Sequence, residues 1–417
     1  MPPSDIFKAP EALVTLDQAL DMLDQRLRPA TAVETVAVMR AERRVLAEDV
    51  VSGIAVPPFP CSAMDGFAFR FADLSSFVAA LKVTARVAAG HVHAGRFGPG
   101  EAARIFTGAP MPPDLDTVAM QEDCGVDGDL VHLPAGLKPG NFVRVRGDDF
   151  DVGAKVLGAG RRLRPQDVAM AAAVGRTELA VRARLKVGVF STGDEVVEPG
   201  DPLPEGAIYG SNRHGIAALC AGMGCEVIDL GNIPDRLDQT IARLREAAGH
   251  CDLLITSGGV SVGGEDHVRG AVETLGAIHL WRLAVKPGKP TALGQVCGVP
   301  FVGLPGYPVS ALVTFMVIAR PVILRLSGAT AEPLRPRRYP VRAAFDFAKD
   351  HPRRQFIRVS LRTGDDGAPE ATLYRSQEPN VLSSLVASDG LVDLPEEPRP
   401  VKSGEMVNFI PYSELQW

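Results

Sequence analysis

Residues 253–264 read Leu-Leu-Ile-Thr-Ser-Gly-Gly-Val-Ser-Val-Gly-Gly and predict a short buried strand that ends in glycines and hydroxyl side chains. Backbone N–H groups in such a turn, close to the start of a helix, can hold an oxyanion. Two similar segments follow, Lys-Pro-Gly-Lys-Pro at 286–290 and Leu-Pro-Gly-Tyr-Pro-Val-Ser at 304–310. A single turn of this kind is ordinary loop chemistry. Three of them with two lysines between favour a phosphate or oxyanion site.

Strand and helix patterns alternate around this segment. Apolar runs predict strands at 186–190, 226–230, 253–256, 293–296 and 301–304, and helices at 212–223, 237–248, 268–275 and from 309 onward. The alternation predicts an α/β fold with a doubly wound, mostly parallel sheet and helices on both faces. In such sheets the ligand lies beyond the carboxyl ends of the strands, at loops 191–195, 231–235, 257–266 and 304–308.

The flanking segments predict additional domains, because 417 residues exceed one ordinary core. Helices are expected at 13–27, 33–46 and 165–174, and short strands at 82–88, 102–106, 117–121 and 130–133. After a Pro/Arg-rich linker, the last segment is again rich in short strands. We assign a helical linker region to 1–50 and 141–183, a small β-rich domain to 51–140, an α/β domain to 184–330 and a C-terminal β-barrel-like domain to 335–417.

Composition excludes several classes of protein. The net charge of −6 and the lack of a lysine/arginine block argue against nucleic acid as a partner. Six scattered cysteines have no zinc-binding spacing and suggest reduced thiols in the cytoplasm. The longest apolar run, 309–324, is interrupted by Arg-Pro and is shorter than the roughly 20 residues of a membrane span, so no membrane partner is expected.

Acidic residues follow the same strand ends. Asp194 and Glu195 end the first strand of the α/β part, Asp235 follows the second, and Asp266 follows the glycines of the third. Carboxylates around an anion pocket would repel the anion unless a hard cation lies between them, and Mg²⁺ fits this role. The motifs of dinucleotide binding, the P-loop and the serine-hydrolase elbow are absent.

Eight motifs together give a more specific indication. In order along the chain they are SAMDGFA (62–68), RIFTGAPMP (104–112), VRGDD (145–149), STGDE (191–195), SN (211–212), ITSGGVSVG (255–263), KPGKP (286–290) and LPGYPVSAL (304–312). With these motifs over nearly its whole length, the chain resembles the molybdenum insertase family, which includes bacterial MoeA proteins, the plant equivalent and the E domain of gephyrin.

The resemblance implies four domains and an elongated homodimer, with a cleft between the molybdopterin-binding α/β domain and the C-terminal domain, and a contribution from the small β domain of the partner subunit. It implies a transferase that inserts molybdate into adenylylated molybdopterin, with Mg²⁺-dependent release of AMP, to form molybdenum cofactor. Molybdopterin adenylyltransferase and the molybdoenzyme acceptors or chaperones are the implied partners.

The resemblance also implies roles for individual residues. Implied catalytic residues are Asp65, Thr107, Asp149, Glu195, Asp235 and Asp266. Residues implied to bind the cofactor are Ser191, Thr192, Gly258, Gly259, Ser261, Gly263, Lys286, Lys289, Pro305, Pro308, Ser310 and Arg358. Implied metal ligands are Asp194, Glu195, Asp235 and Asp266. Purely structural roles remain the alternative: Asp65 in a turn, Thr107 as a local cap, and Asp149 in an ion pair.

Two departures and three alternative functions stay open. Tyr307 stands where the family usually has Asn, and Gln377-Glu378-Pro379 stands where it has Gln-Gly-Ser, so Ser376, Ser383 or Ser384 would have to replace the missing serine. The alternatives are the adenylyltransferase of the same pathway, a non-catalytic gephyrin-like scaffold, and a paralogue that handles tungstate or another substrate.

Overall fold

The structure is a computed structural model, and it describes residues 6–8, 13–74, 80–234, 236–259, 267–288 and 290–416. The chain forms two compact units. The first unit is drawn from Met1–Glu48, Ala159–Arg164 and Leu179–Trp417, and the second from Asp49–Gly158 and Pro165–Glu178.

The helices of the described residues are α1 (Leu16–Arg26), α2 (Pro165–Ala173), α3 (Ser211–Gly222), α4 (Leu237–Ala248), α5 (His267–Leu275), α6 (Pro308–Thr314), α7 (Arg320–Leu326), α8 (Ser383–Val386) and α9 (Ser413–Gln416). A π-helical segment, Phe315–Ala319, joins α6 to α7, and single 3-10 turns lie at Val38–Arg40, Phe71–Asp73 and Gln121–Asp123. Thr15 and Gln18 form a capping box at the start of α1, which confirms the first predicted helix.

The strands of the same residues are β1 (Val33–Ala37), β2 (Val50–Val51), β3 (Cys61–Ser62), β4 (Gly66–Phe69), β5 (Ala80–Val87), β6 (Glu101–Ile105), β7 (Thr117–Met120), β8 (Gly125–Asp127), β9 (Leu130–His132), β10 (Val143–Arg144), β11 (Lys155–Leu157), β12 (Glu178–Arg182), β13 (Lys186–Thr192), β14 (Val196–Val197), β15 (Ile208–Tyr209), β16 (Glu226–Ile233), β17 (Leu253–Ser257), β18 (Gly276–Arg282), β19 (Val285–Lys286), β20 (Pro290–Val296), β21 (Val299–Leu304), β22 (Tyr339–Ala343), β23 (Arg354–Thr363), β24 (Pro369–Leu373), β25 (Gly390–Leu394) and β26 (Met406–Pro411).

The main sheet of the first unit has the strand order β16-β13-β17-β21-β20-β18. The first four strands are parallel, and β20 and β18 are antiparallel to their neighbours. Residues of α3 and α6 pack on one face of this sheet and residues of α4 and α5 on the other. The predicted doubly wound, mostly parallel α/β fold is therefore confirmed. The antiparallel strand β18 was not among the predicted strands.

A closed five-stranded barrel follows near the carboxyl end of the chain. Its order is β23-β24-β22-β26-β25, and β25 pairs back onto β23. The short strand β19, which contains Lys286, pairs in parallel with the barrel strand β23 and not with a strand of the α/β sheet. This observation confirms the expectation of a C-terminal β-barrel-like domain.

The segment Pro308–Leu326 is a core helix. By length and composition alone, this 19-residue helix is apolar enough to cross a membrane, but 94% of its apolar stretch is buried inside the protein. The helix packs with α1, with the α/β sheet and with barrel residues such as Phe356 and Ile410 in one continuous hydrophobic core. Each large apolar side chain buried in this way contributes about 1.5–3 kcal/mol.

The second unit contains a six-stranded sheet of order β7-β4-β6-β5-β9-β8. One face buries Ala68, Ile105 and Val118, and the other buries Phe67 and Phe69. The short strands predicted in this region and the helix α2 are confirmed. The internal strand β4 was not predicted, because it follows a proline-broken segment and begins with glycine, a residue that is depleted in strands.

The helix predicted for residues 33–46 is wrong. The segment forms strand β1, which pairs with β12, and then a 3-10 turn at Val38–Arg40. Val33, Thr35 and Val36 are β-branched, and their restricted χ1 angles favour an extended backbone.

Candidate functional site

A cleft of about 700 Å³ lies at the carboxyl ends of β13, β17 and β21 in the first unit. This volume is typical of small-molecule sites. The cleft is lined by Ser191, Thr192, Glu195, Val196, Ile208, Tyr209, Gly210, Ser211, Asn212, Ser257, Gly258, Gly306, Tyr307, Pro308, Asn380 and Leu382. The last two residues precede or begin the α8 region of the barrel segment, so both parts of the first unit contribute. The ends of β13, β17 and β21 therefore meet at one edge, as the sequence predicted, whereas residues 231–234 at the end of β16 do not line the cleft.

The base of the cleft is built from hydroxyls and close-packed glycines. Thr192 and Ser257 are buried at the ends of adjacent strands. Gly258 and Gly259 have φ values of +84° and +65°, which favour glycine. A Cβ at Gly259 would lie 2.6 Å from Thr192 Oγ1, so a side chain there would displace the hydroxyl. The sequence Gly-Gly thus allows two strand ends to approach closely.

The amino terminus of α3 faces the cleft. Ser211 and Asn212 line it, and the preceding Gly210 has no side chain that could cap the helix. The first N–H groups of a helix have no partner within the helix, and the helix dipole adds partial positive charge there. Buried Arg213 pairs with Glu198 and Asp229, which fixes the start of α3. This terminus is suited to binding an anion.

Sequence reasoning recognised Ser211 and Asn212 as a motif but did not include them among the site residues. The available signal was a Gly-Ser-Asn run before an apolar helix, which is a helix start after a strand. Ile208, Asn380 and Leu382 were also missed, since no local pattern marks them.

The helix that starts at Pro308 offers fewer donors to the cleft. Pro308 has no N–H, Val309 N–H donates to Pro379 O at 3.0 Å, and Ala311 N–H donates to Tyr307 O at 2.8 Å. Pro308 lines the cleft, whereas the predicted residues Pro305 and Ser310 do not. The bond from Val309 to Pro379 instead joins this helix to the loop before α8.

Glu195 is the described acidic residue that lines the cleft. It is exposed, and its side chain folds over Gly193, where a Cβ would lie 2.5 Å from Glu195 Oε2. Asp194 is exposed but does not line the cleft. Neither carboxylate forms a hydrogen bond or ion pair with another described residue. Free carboxylate oxygens are suitable ligands for a magnesium ion that keeps several waters.

Several predicted residues lie outside the described part of the chain: Asp235, Ser261, Gly263, Asp266 and Lys289. Among the residues that are described, no group of three His, Cys, Asp or Glu side chains lies at metal-binding distance.

Lys286 is described, and it is exposed on β19 rather than in the lining of the cleft. Burial and the positive charge of Lys286 lower the pKa of nearby His351. The structure therefore places this lysine beside the barrel, and the predicted grouping of Lys286 with Ser191 and Thr192 in the cleft lining is not observed.

Arg358 lies behind the cleft. Its side chain is only 1% exposed, and burial lowers its pKa to about 10. Its guanidinium donates to Ser384 Oγ at 3.1 Å and to Glu378 O at 3.2 Å. Gln377 exchanges two further hydrogen bonds with the main chain of Arg358. Arg358 and Ser384 thus support the loop that carries Asn380 and Leu382, and neither of the two lines the cleft.

In the second unit the structure brings Asp65 and Thr107 together. The main-chain N–H and the hydroxyl of Thr107 both donate to Asp65 Oδ1, at 2.8 and 2.7 Å. These hydrogen bonds hold the pKa of Asp65 below its usual value. Asp149 is exposed, and its main-chain N–H donates to Val56 O at 2.9 Å.

We expect Thr107→Val to raise the pKa of Asp65 toward the ordinary value of 3.8, though not fully, because the main-chain bond remains. Because the pKa of Asp65 is lower in the folded state, its ionised carboxyl stabilises the fold above pH 3.8. This stabilisation is lost as the pH falls through the pKa of the folded state. In Thr107→Val that pKa is higher, so the stabilisation should be lost at a higher pH. Carboxyl NMR titration measures the shift. The pKa of Asp114, lowered by Phe97 and Arg96 in the same unit, is the internal control. An unchanged Asp65 pKa would show that the Thr107 hydroxyl does not lower it.

The chain matches three family models that follow one another along it. Residues 14–175 match the MoeA N-terminal region (domain I and II), residues 188–325 match a probable molybdopterin binding domain, and residues 340–412 match the MoeA C-terminal region (domain IV).

The chain is also similar to complete proteins. It is 37% identical over 407 residues to the molybdopterin molybdenumtransferase of Haemophilus influenzae, which covers 97% of this chain and 100% of the relative. It is 37% identical to molybdopterin molybdenumtransferase 2 of Mycobacterium tuberculosis, with 89% and 93% of the two chains covered. The crystal structure of the molybdopterin biosynthesis MoeA protein from Pyrococcus horikoshii matches with a TM-score of 0.80 at 28% identity, covering 96% of this chain and 100% of that one.

Proposed function

The chain belongs to the molybdopterin molybdenumtransferase (MoeA) family and is a transferase of molybdenum cofactor biosynthesis, and from this premise we propose that it inserts molybdate into adenylylated molybdopterin with Mg²⁺-dependent release of AMP. The observation that carries the proposal is the cleft itself. It combines the amino terminus of α3, hydroxyls at two strand ends and the carboxylate of Glu195, which pairs with no other side chain in the described part of the chain. A phosphorylated substrate and a hard cation need these groups in one place.

The anionic groups of the substrates would bind at the α3 end of the cleft. The N–H groups at Ser211 and Asn212 would hold one oxyanion, and the hydroxyls of Thr192 and Ser257 can donate to it. The family resemblance adds Ser261, Gly263, Lys286 and Lys289 as further anion-binding residues. The proposal assigns molybdate, a tetrahedral dianion and a substrate, to this group of donors.

Magnesium belongs to the proposal as the resident cation. Glu195, with Asp194 beside it, would hold the ion through carboxylate oxygens, and Asp235 and Asp266 are proposed to complete the set. Bound there, the ion would neutralise charge on the phosphoanhydride as AMP leaves. Glu195 would also orient the attacking water as a hydrogen-bond acceptor.

Asp65, Thr107 and Asp149 enter the proposal through the family resemblance. We propose that the protein is a homodimer and that these residues of the second unit act in the site of the partner subunit. The Thr107 hydroxyl donates to Asp65 Oδ1 at 2.7 Å, and this bond fixes the orientation of the carboxylate that the proposal uses. The proposed partners remain the adenylyltransferase upstream and the acceptor molybdoenzymes or chaperones downstream, in the cytoplasm.

The reaction can be tested with the purified full-length chain. Adenylylated molybdopterin, molybdate and Mg²⁺ are supplied, AMP is quantified, and the product is used to reconstitute a cofactor-free molybdoenzyme. We expect AMP release and reconstitution that both require molybdate. Formation of adenylylated molybdopterin from ATP, without molybdate-dependent AMP release, would support the adenylyltransferase instead. If neither reaction occurs, the result supports the non-catalytic scaffold.

A further inference from the structure

Tyr307 is an unusually exposed aromatic residue in the cleft. Its side chain lines the cleft, and the residue is 61% exposed. Among the described residues, no side chain bonds its hydroxyl or stacks on its ring. An exposed aromatic surface inside a concave site is the usual mark of a ligand-binding surface rather than of core packing.

The backbone around Tyr307 is held firmly although its ring is free. Asn212 Nδ2 donates to Gly306 O at 2.7 Å, directly before the tyrosine. Tyr307 precedes a proline, which restricts it to extended conformations, and its φ and ψ are −70° and 133°. Pro308 then opens the core helix, whose Val309 is bonded to Pro379 O. The backbone that carries the Tyr307 ring is therefore fixed by hydrogen bonds and by the following proline.

Apolar surface lines the same cleft. Ile208 is 58% exposed, and its register partner Val196 also lines the cleft, so this face of the two-stranded β14–β15 ribbon is directed toward it. Tyr209, the next residue, bonds the carbonyl of Asp201 through its hydroxyl. Leu382 adds a third apolar side chain from the barrel segment.

The apolar surface lies directly beside the anion-binding helix end. Asn212, whose amide holds the turn at Gly306, is also the second residue of α3. A ligand that carries both a flat ring and a phosphate could thus contact the ring of Tyr307 and the amino terminus of α3 at the same time. The side chain of Asn212 links these two parts of the cleft. A phosphate alone, or a sugar phosphate, would leave the ring surface unused.

We propose that Tyr307 stacks on the planar heteroaromatic ring of a nucleotide or pterin phosphate whose phosphate binds at the amino terminus of α3. The inference rests on the proposed function, because both adenine and pterin belong to the adenylylated substrate. It assigns Tyr307 a role in substrate binding and specificity, not in the chemical step.

Calorimetric titration of the full-length chain tests the inference with three probes: AMP, neopterin monophosphate and ribose 5-phosphate. Stacking of a base on an aromatic side chain corresponds to roughly a 5- to 150-fold effect on affinity. We expect Tyr307→Leu to weaken a ring-bearing probe about 10-fold, Tyr307→Phe to stay within about 2-fold, and ribose 5-phosphate to bind all variants equally. Loss for AMP alone identifies the adenine ring, and loss for neopterin monophosphate alone identifies the pterin.

Tyr339→Leu is the matched control. Tyr339 is an exposed tyrosine on β22 of the barrel, outside the cleft lining, and its replacement should leave all three affinities unchanged. Equal affinity of wild type and Tyr307→Leu for both ring-bearing probes, or no binding of either, would overturn the inference. Tyr307-dependent binding without molybdenum transfer would overturn the proposed function alone, and transfer with Tyr307-independent binding would overturn the stacking role alone.

Discussion

Glu195→Gln is expected to slow molybdenum insertion roughly 100- to 10,000-fold, the range found when a group that positions or transfers a proton is removed. Glu195 is the described carboxylate in the cleft, and none of the other described residues forms an ion pair with it. Gln keeps the shape of the side chain but removes the negative charge that would attract a hard cation. AMP release per enzyme, measured at saturating molybdate, reports the effect.

Glu205→Gln is the matched control for this variant. Glu205 is an exposed glutamate between β14 and β15, close in sequence to the cleft but absent from its lining. Its replacement should leave the rate unchanged, and both variants should unfold within about 0.5 kcal/mol of the wild type, as expected for exposed positions. A Glu195→Gln rate within about 3-fold of wild type would remove Glu195 from the proposed mechanism.

Arg354→Met is expected to lower the free energy of unfolding by about 3 kcal/mol, the scale of breaking a buried ion pair. Arg354 Nε and Nη2 donate to the two oxygens of Asp393 at 2.7 and 3.0 Å, and Nη1 donates to Asp17 on α1 at 2.9 Å. The side chains of Arg354 and Asp393 are 8% and 2% exposed. Burial alone would lower the pKa of Arg354, but the hydrogen bonds and charge of Asp393 outweigh it and raise that pKa.

The cost arises because, of the charged side chains that the structure describes, the buried Asp393 would keep only Arg338 as a partner. Urea unfolding followed by circular dichroism measures it. Arg335→Met is the control: Arg335 also bonds Asp17 but is 42% exposed, and such pairs contribute at most about 1 kcal/mol. The double variant Arg354→Met/Asp393→Asn should recover part of the loss. Equal effects of Arg354→Met and Arg335→Met would contradict a buried network.

The elements that local chemistry specifies could be predicted from the sequence. Thr15 as a possible cap and the leucine spacing of α1 predicted a helix, and the apolar runs of β13 and β17 predicted parallel strands. The prediction failed for β1, where Val33, Thr35 and Val36 favour an extended backbone. It also missed β18, which follows α5 directly and pairs with the nearby strand β20 in antiparallel register.

The candidate site shows the same division. The motif glycines and the residues Ser191, Thr192, Glu195 and Gly258 were predicted at the strand ends, and the structure places these four in one cleft. Lys286 and Arg358 were expected with them, yet Lys286 lies on a strand that pairs with the barrel and Arg358 is buried behind a loop. The positions of Lys286 and Arg358 in the sequence do not show which residues each side chain contacts in the folded protein.

The sequence by itself determined the family, the α/β and barrel classes and the glycine-rich strand ends, because these depend on residues close together in the chain. Only the tertiary structure decided that, among the described residues, α3 offers the cleft more N–H groups than the helix at Pro308, since Val309 is bonded to Pro379, 70 residues away. It also decided that Tyr307, Ile208 and Leu382 share one cleft. Such groupings depend on contacts between distant segments, and a local pattern cannot specify them.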